Sequence, residues 1–183
     1  MGRSNVGKSS LINALVRQRL ARTSGAPGQT RLANVYRVAR GAAGPVYLVD
    51  LPGYGYARGG RQAAAEFERL AADLFTGAPA ALLLVDSRHP GLDADRNAWQ
   101  WLNATVDRRA VVATKIDKLS RAERRKALGQ LESVFEDAVL PCSAATGEGL
   151  DELWKLIDRL ANNNSRSRKA AAATAPPRRL PRR

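Results

Sequence analysis

The sequence is poor in cysteine, in aromatic residues and in long apolar runs. Its 183 residues include a single cysteine, Cys142, which excludes an intrachain disulfide and suits a reducing compartment. No apolar run approaches the roughly 20 residues that a membrane-spanning helix needs. The first ten residues also lack the apolar segment of a secretory signal. These absences predict a cytoplasmic protein without membrane association.

Acidic residues are scarce as well, and unevenly so. Lys and Arg number 30 against 17 Asp and Glu, a net charge of +13, and 24 of the basic residues are arginines. Residues 162–183 hold seven basic residues and no acid, which leaves +6 for residues 1–161. The excess indicates either a phosphate-polymer partner or the arginine-rich composition of a GC-rich genome.

The chain divides into two parts of different character. Apolar residues make up 44% of the chain, enough for residues 1–161 to form one domain with a hydrophobic core. Residues 162–183 contain three prolines and no apolar periodicity. This composition predicts a disordered basic tail.

Segments with helical periodicity alternate with short apolar strands along residues 1–161. Helices are predicted over 8–18, 64–75, 93–102, 120–135 and 150–160, and strands over 35–39, 46–49, 80–86, 110–114 and 138–142. Ser120 with Glu123 three residues later is typical of a capping box at a helix start. The alternation predicts an α/β protein whose mostly parallel sheet is covered on both faces.

The first motif, G-x-x-x-x-G-K-[ST], spans residues 2–9. Its glycines let backbone N–H groups turn toward phosphate oxygens, and the positive end of the following helix faces the same anion. Lys8 would reach the β- and γ-phosphates, and the Ser9 hydroxyl would bind Mg²⁺. The alternative is a glycine-rich helix start that binds nothing. The predicted nucleotide contacts are Gly2, Arg3, Ser4, Asn5, Val6, Gly7, Lys8, Ser9 and Ser10.

The second motif, D-x-x-G at residues 50–53, follows the predicted strand 46–49. A carboxylate at the end of a strand, here Asp50, is where a Mg²⁺ shell needs one. The N–H of Gly53 can face a γ-phosphate and move when that phosphate leaves. The predicted contacts of this motif are Asp50, Leu51, Pro52 and Gly53.

The third motif, Thr114-Lys115-Ile116-Asp117, would select the base. The Asp117 carboxylate can accept from the ring N–H and the amine of guanine, whereas adenine presents a lone pair there and has no such amine. This disfavours an ATPase. The stem of Lys115 can lie along the purine. Backbone N–H groups of Cys142, Ser143 and Ala144 are expected near the guanine oxygen. The alternative is an ordinary strand-to-helix turn.

Together these segments resemble the bacterial EngB/YihA GTPases, Era-like members of the TRAFAC class. The resemblance runs from Gly2 to about Leu160 and is carried by GRSNVGKSSLINAL, ARTSGAPGQTR, LVDLPGYGYA, VDSRH, TKIDKLS and SAATGEGLDELWKLI. It implies a P-loop NTPase fold, a Ras-like three-layer sandwich. It also implies a monomeric GTP/GDP switch that acts in large ribosomal subunit assembly, on the subunit or its precursor, and is needed for normal cell division and septation.

The resemblance also implies roles for particular residues. Thr30 corresponds to the switch threonine that meets Mg²⁺ and the γ-phosphate, and Gly28 and Gln29 precede it in the same loop. Asn5 stands where related GTPases use an asparagine to hold K⁺; alternatively, it only tolerates an unusual backbone conformation. The implied metal ligands are Ser9, Thr30 and Asp50, and the implied catalytic residues are Lys8, Thr30 and Gly53.

Hydrolysis is expected to be slow without a partner. In Ras-type enzymes a glutamine directly after D-x-x-G orients the attacking water. In this chain Tyr54 occupies that place, and a phenol is less suited to holding a water in line.

One feature departs from the pattern, because the chain begins at the P-loop. A P-loop normally follows a buried strand, so we expect the first strand to be missing and the edges of strands 46–50 and 80–86 to face each other unpaired. Buried backbone groups without partners cost about 1–3 kcal/mol each. This predicts a coding frame that continues upstream, or else an unstable chain. The alternative function is a basic RNA- or ribosome-binding protein with an inactive nucleotide site.

Overall fold

Between residues 80 and 161, strands and helices alternate as the sequence pattern predicts. The computed structural model describes residues 1–21, 33–40, 43–54 and 80–161; the predicted helix 64–75 and the tail 162–183 lie outside them. The helices are α1 (Lys8–Val16), α2 (Asp93–Thr105), α3 (Arg121–Phe135) and α4 (150–161), with a 3₁₀ turn at Ile116–Lys118. The strands are β1 (Asn34–Arg40), β2 (Ala43–Asp50), β3 (Ala81–Asp86), β4 (Arg109–Thr114) and β5 (Val139–Pro141).

The strands form a parallel sheet and an antiparallel hairpin. β3, β4 and β5 are parallel neighbours in that order, and β1 pairs with β2 in antiparallel register. The first residues of the chain lie between the two sheets. Gly2 bridges in parallel to Leu84 of β3, and Arg3 bridges in parallel to Tyr54 just after β2. The described elements therefore follow one another in the order β1, β2, residues 2–3, β3, β4, β5.

Side chains that alternate along β3 and β4 fill cores on both faces of the parallel sheet. Leu83 and Val85 pack in a cluster with residues of α2 and α3, including Trp99 and Phe135. Leu84 packs in a second cluster with residues of α1 and α4. Two helical layers around one sheet are the predicted three-layer sandwich.

The residues before the P-loop differ in part from the prediction. The sequence predicts that the edge of β3 has no partner strand, yet Met1 pairs with β3. The Met1 amino group donates to the carbonyl oxygen of Leu82 at 2.7 Å, and the N–H of Leu84 donates to that of Met1 at 2.9 Å. Beyond Met1, an apolar cleft of about 470 Å³ lies between β2 and β3. The upstream strand stays a prediction.

A capping box marks the start of α3, as the sequence predicts. The Ser120 hydroxyl accepts from the backbone N–H of Glu123 at 3.4 Å, and the Glu123 carboxylate accepts from that of Ser120 at 2.8 Å, so the capping box is confirmed.

The described residues contain no helix long and apolar enough to span a membrane.

Two glycines give opposite expectations for stability. Gly149 has a φ of +77°, and a Cβ there would lie 2.1 Å from the carbonyl oxygen of Pro141, whereas Gly129 lies within α3 with open space around it. Gly149→Ala should lower the free energy of unfolding by at least ~2 kcal/mol through strain and steric overlap. Gly129→Ala should raise it by about 0.5–1 kcal/mol. Urea unfolding followed by tryptophan fluorescence measures both, and equal values for the two variants would contradict this placement of Gly149.

Candidate nucleotide site

The carboxyl ends of the strands meet the P-loop at one edge of the sheet. Thr114, the last residue of β4, is buried, and its hydroxyl lies 2.7 Å from the carbonyl oxygen of Val6 and 3.0 Å from that of Val85. One side chain thereby joins the P-loop, β3 and β4. This is the edge at which open α/β sheets bind ligands.

The P-loop has the backbone shape of an anion site. Asn5 and Gly7 have φ values of +61° and +105°, in the left-handed region. α1 begins directly after Gly7 with no side-chain cap and no acidic residue in its first turn, so its positive end is not neutralised locally. The Lys8 ammonium donates to the carbonyl oxygens of Gly2 at 3.1 Å and Arg3 at 3.0 Å. A cation and a helix N-terminus therefore converge in this loop.

Two oxygen groups beside Lys8 fit a Mg²⁺ ion. The Ser9 hydroxyl donates to Oδ2 of Asp50 at 3.0 Å, and Asp50 is only 3% exposed. Its other oxygen, Oδ1, is buried without a hydrogen-bond partner in the described part of the chain. Such an oxygen is costly to bury unless a cation or donor meets it. Burial lowers the pKa of Lys8, and the charge of Asp50 opposes that shift.

The protein supplies only part of a metal shell here. Within the described ranges, no group of three or more His, Cys, Asp or Glu side chains could hold a metal. A Mg²⁺ ion at Ser9 and Asp50 would take its remaining ligands from phosphates and water, as Mg²⁺ usually does. The third predicted ligand, Thr30, and its neighbours Gly28 and Gln29 lie outside the described residues.

The predicted base-selecting carboxylate is oriented by a buried serine. Oδ1 of Asp117 accepts from the Ser143 hydroxyl at 2.7 Å, and its Oδ2 lies 3.3 Å from the Lys118 ammonium. The Ser143 hydroxyl oxygen also accepts from the backbone N–H groups of Ala145 and Thr146. The hydrogen bond from Ser143 outweighs burial and lowers the pKa of Asp117. Asp117 is therefore an ionised acceptor held in one orientation.

Lys115 connects this carboxylate region to the P-loop. Its backbone is left-handed, with φ of +60°, and its ammonium donates to the carbonyl oxygen of Asn5 and to Asp86 at 2.9 Å. A Cβ on Gly7 would lie 3.9 Å from its Cε, so the aliphatic stem crosses directly over the loop. A stem in this position could cover one face of a bound purine.

Sequence reasoning missed Asp86 as part of this network. Burial alone would raise the pKa of Asp86, but hydrogen bonds from Arg88 and Lys115 outweigh burial and hold it well below its usual range. The available signal was its position as the last residue of an apolar strand, the same position that Asp50 occupies in β2. Asp86 thus holds the Lys115 ammonium over the P-loop.

The backbone N–H groups predicted to meet the guanine oxygen are not equivalent. That of Cys142 donates to Ala113 at 2.7 Å, and that of Ser143 donates to Glu148 at 2.9 Å. Two of the three N–H groups therefore already donate within the protein, one to β4 and one to the following loop. The N–H of Ala144 is the remaining candidate donor to the guanine oxygen. The Cys142 thiol is buried, and burial raises its pKa to about 12, so the side chain is structural.

The segment after β2 lies directly on the P-loop. A Cβ on Gly53 would be 2.6 Å from the Cα of Ser4, and the N–H of Ser4 donates to the carbonyl oxygen of Tyr54 at 3.2 Å. Only glycine fits at position 53 without displacing the loop. Leu51 is 2% exposed and packs in the core, so its side chain faces away from solvent.

A second residue missed from the sequence is Asp95, in the first turn of α2. It is 1% exposed, and its carboxylate accepts from the Tyr54 hydroxyl at 2.8 Å and from Nε of Arg3 at 3.3 Å. No local pattern marks it, because an acid in the first turn of a helix is usually a solvated residue that favours the helix dipole.

Comparisons of the amino-acid sequence find related GTP-binding proteins. A family profile described as a 50S ribosome-binding GTPase matches residues 1–115. The probable GTP-binding protein EngB of Thermotoga maritima is 40% identical over 171 residues, which cover 90% of this chain and 86% of that protein.

Solved structures share the fold. A probable GTP-binding protein EngB superimposes with a TM-score of 0.70 at 22% identity and covers 88% of this chain and 96% of its own. Era, in complex with MgGDPNP and nucleotides of 16S ribosomal RNA, superimposes with a TM-score of 0.76 at 24% identity over 87% of this chain and 54% of its own. At these identities the likeness establishes the P-loop GTPase fold. The 40% identity to the Thermotoga maritima protein over 90% of this chain shows that the chain belongs to the EngB family of GTP-binding proteins.

Proposed function

We propose that this protein is a Mg²⁺-dependent GTP switch that hydrolyses GTP slowly and acts as a cytoplasmic monomer in large ribosomal subunit assembly. By that route it would be needed for normal cell division and septation. The observation that carries the nucleotide assignment is the Asp117 carboxylate, which Ser143 orients at the same sheet edge as Lys8 and the Ser9–Asp50 pair. A base and a polyphosphate can be held there by one continuous surface.

The residues divide the work of binding. Lys8 and the start of α1 would neutralise the phosphates, and Ser9 and Asp50 would hold Mg²⁺, which offsets the charge of the β- and γ-phosphate oxygens. Asp117 would accept from the two guanine donors while the stem of Lys115 covers the ring. Thr30 would complete the metal site from the loop before β1, and Gly53 would face the γ-phosphate.

The first test exchanges the base-selecting carboxylate for an amide. Asp117→Asn removes the acceptor of the guanine amine, and its amide can donate to the extra oxygen of xanthine. GTP affinity should fall by at least about 100-fold, and XTP should become the tighter ligand. The matched control is Asp107→Asn, an exposed residue just before the opposite end of β4. Titration with fluorescent GTP, XTP and ATP measures the three affinities; unchanged GTP binding would refute the assignment.

Slow hydrolysis agrees with the position of Tyr54. Its hydroxyl is bonded to Asp95, and burial together with the charge of Asp95 raises its pKa well above the usual range, so the phenol stays protonated. A protonated phenol bound elsewhere cannot act as a base toward water. The partner would then supply or order the missing group.

A second test asks whether Asn5 holds a monovalent cation. With ribosomal subunits present, GTP hydrolysis should be about tenfold faster in K⁺ than in Na⁺ at equal ionic strength, since a cation at the phosphates stabilises the developing charge. Asn5→Gly keeps the left-handed backbone without strain and removes the amide, so it should abolish this preference. Retention of the preference in Asn5→Gly would mean that Asn5 serves the loop conformation only.

The ribosomal part of the proposal is supported by the family description and by the excess of positive charge. Co-sedimentation with large subunits should be stronger with a non-hydrolysable GTP analogue than with GDP or no nucleotide. Binding that ignores the nucleotide would favour the alternative, a basic RNA-binding protein with an inactive site.

A third test addresses the tail. Deleting residues 162–183 should weaken association with the ribosome and flatten its dependence on salt. The deletion removes seven positive charges, so binding releases fewer counterions from RNA. GTP affinity should not change. A tail of equal length with all seven basic residues replaced by Gln separates charge from length. An unaltered salt slope in both variants would make the tail a passive appendage.

A further inference from the structure

The carboxylate of Asp95 joins two parts of the nucleotide site that are far apart in sequence. One oxygen accepts from the Tyr54 hydroxyl at 2.8 Å and the other accepts from Nε of Arg3 at 3.3 Å. Tyr54 follows the glycine expected to sense the γ-phosphate, and Arg3 belongs to the P-loop. Asp95 itself lies on α2, outside every motif of the site.

Two anchors hold the segment between β2 and Tyr54 along the P-loop. At one end, Asp50 accepts from the Ser9 hydroxyl at 3.0 Å. At the other end, Tyr54 is bound to Asp95 through its side chain and to Ser4 through its carbonyl oxygen. Gly53 lies between these anchors, pressed against the backbone of Ser4. Loss of the second anchor would free Gly53 to leave the P-loop while the Ser9–Asp50 pair stays in place.

We propose that Asp95 is a positioning residue that strengthens the binding of GTP relative to that of GDP, by holding Gly53 at the P-loop through Tyr54 and Arg3. The inference rests on the proposed guanine-nucleotide function. Only a nucleotide with a γ-phosphate can use the N–H of Gly53, so the anchor favours GTP and leaves the contacts to base, α- and β-phosphates unchanged. Burial raises the pKa of Asp95, and its donors Tyr54 and Arg3 oppose that shift.

The competing explanation is that Asp95 only stabilises the start of α2. Asp93 lies in the same first turn and is exposed, so it shares any interaction with the helix dipole but is not among the partners of Tyr54 or Arg3. Asp93→Ala is therefore the matched control for Asp95→Ala.

The test measures affinities of the full chain for fluorescent GDP and for a fluorescent non-hydrolysable GTP analogue. Asp95→Ala removes the bonds to both Tyr54 and Arg3, so the dissociation constant for the GTP analogue should rise by about tenfold, while that for GDP stays within about twofold. Asp93→Ala should change neither affinity.

A second variant keeps the proposal falsifiable if Asp95→Ala folds poorly. Tyr54→Phe removes only the hydroxyl and should raise the dissociation constant of the GTP analogue alone, by about threefold, whereas Tyr47→Phe, on the exposed face of β2, should not. The Asp95→Ala/Tyr54→Phe double variant should equal Asp95→Ala, because both changes remove the same bond. Equal losses for GDP and the analogue, or no loss in Tyr54→Phe, would overturn the inference. A wild-type chain that binds neither nucleotide would refute the proposed function itself.

Discussion

The buried hydroxyl of Thr114 is the contact on which the site depends most. With one hydrogen between two carbonyl oxygens, of Val6 and Val85, it fixes the P-loop against the ends of β3 and β4. Lys115 and Asp117, which follow Thr114 closely in the chain, are therefore placed at a set distance from the phosphate-binding backbone. In the proposed site a nucleotide would bridge these two regions, and the strands rather than a flexible loop would set the distance between them.

Charged side chains cluster at the same edge of the sheet, and oppositely charged partners stabilise them there. Lys8 lies near Asp50, and Lys115 is bonded to Asp86, with backbone carbonyl oxygens completing both lysine shells. Charges removed from water stabilise a fold only when such partners are present. The cost of orienting these groups is met during folding, so a polyphosphate encounters cations that are already in position.

Much of this architecture follows from local sequence. The capping box of Ser120 and Glu123, the apolar strands ending in Asp50 and Thr114, and the glycine pattern of the P-loop each depend on residues that are close neighbours in the chain. Periodicity and capping act over a single turn or strand, and this is why the described elements agree closely with their predicted bounds. The covering of both sheet faces follows too, since the strands are apolar on both sides.

The sequence by itself determined the class of fold, and it located the candidate phosphate-binding loop and the candidate base-selecting carboxylate. The tertiary structure decided which groups act together. Arg3 is bonded to Asp95, 92 residues away in the sequence, and Lys115 is bonded to Asn5, 110 residues away. The N–H of Cys142 donates to β4. Burial turns Asp95 from an ordinary helix acid into an anchor, and burial is set by how α2 packs on the sheet. Contacts of this range exist only after the parallel strands have aligned, because no local pattern encodes the distance between residues that the sheet brings together.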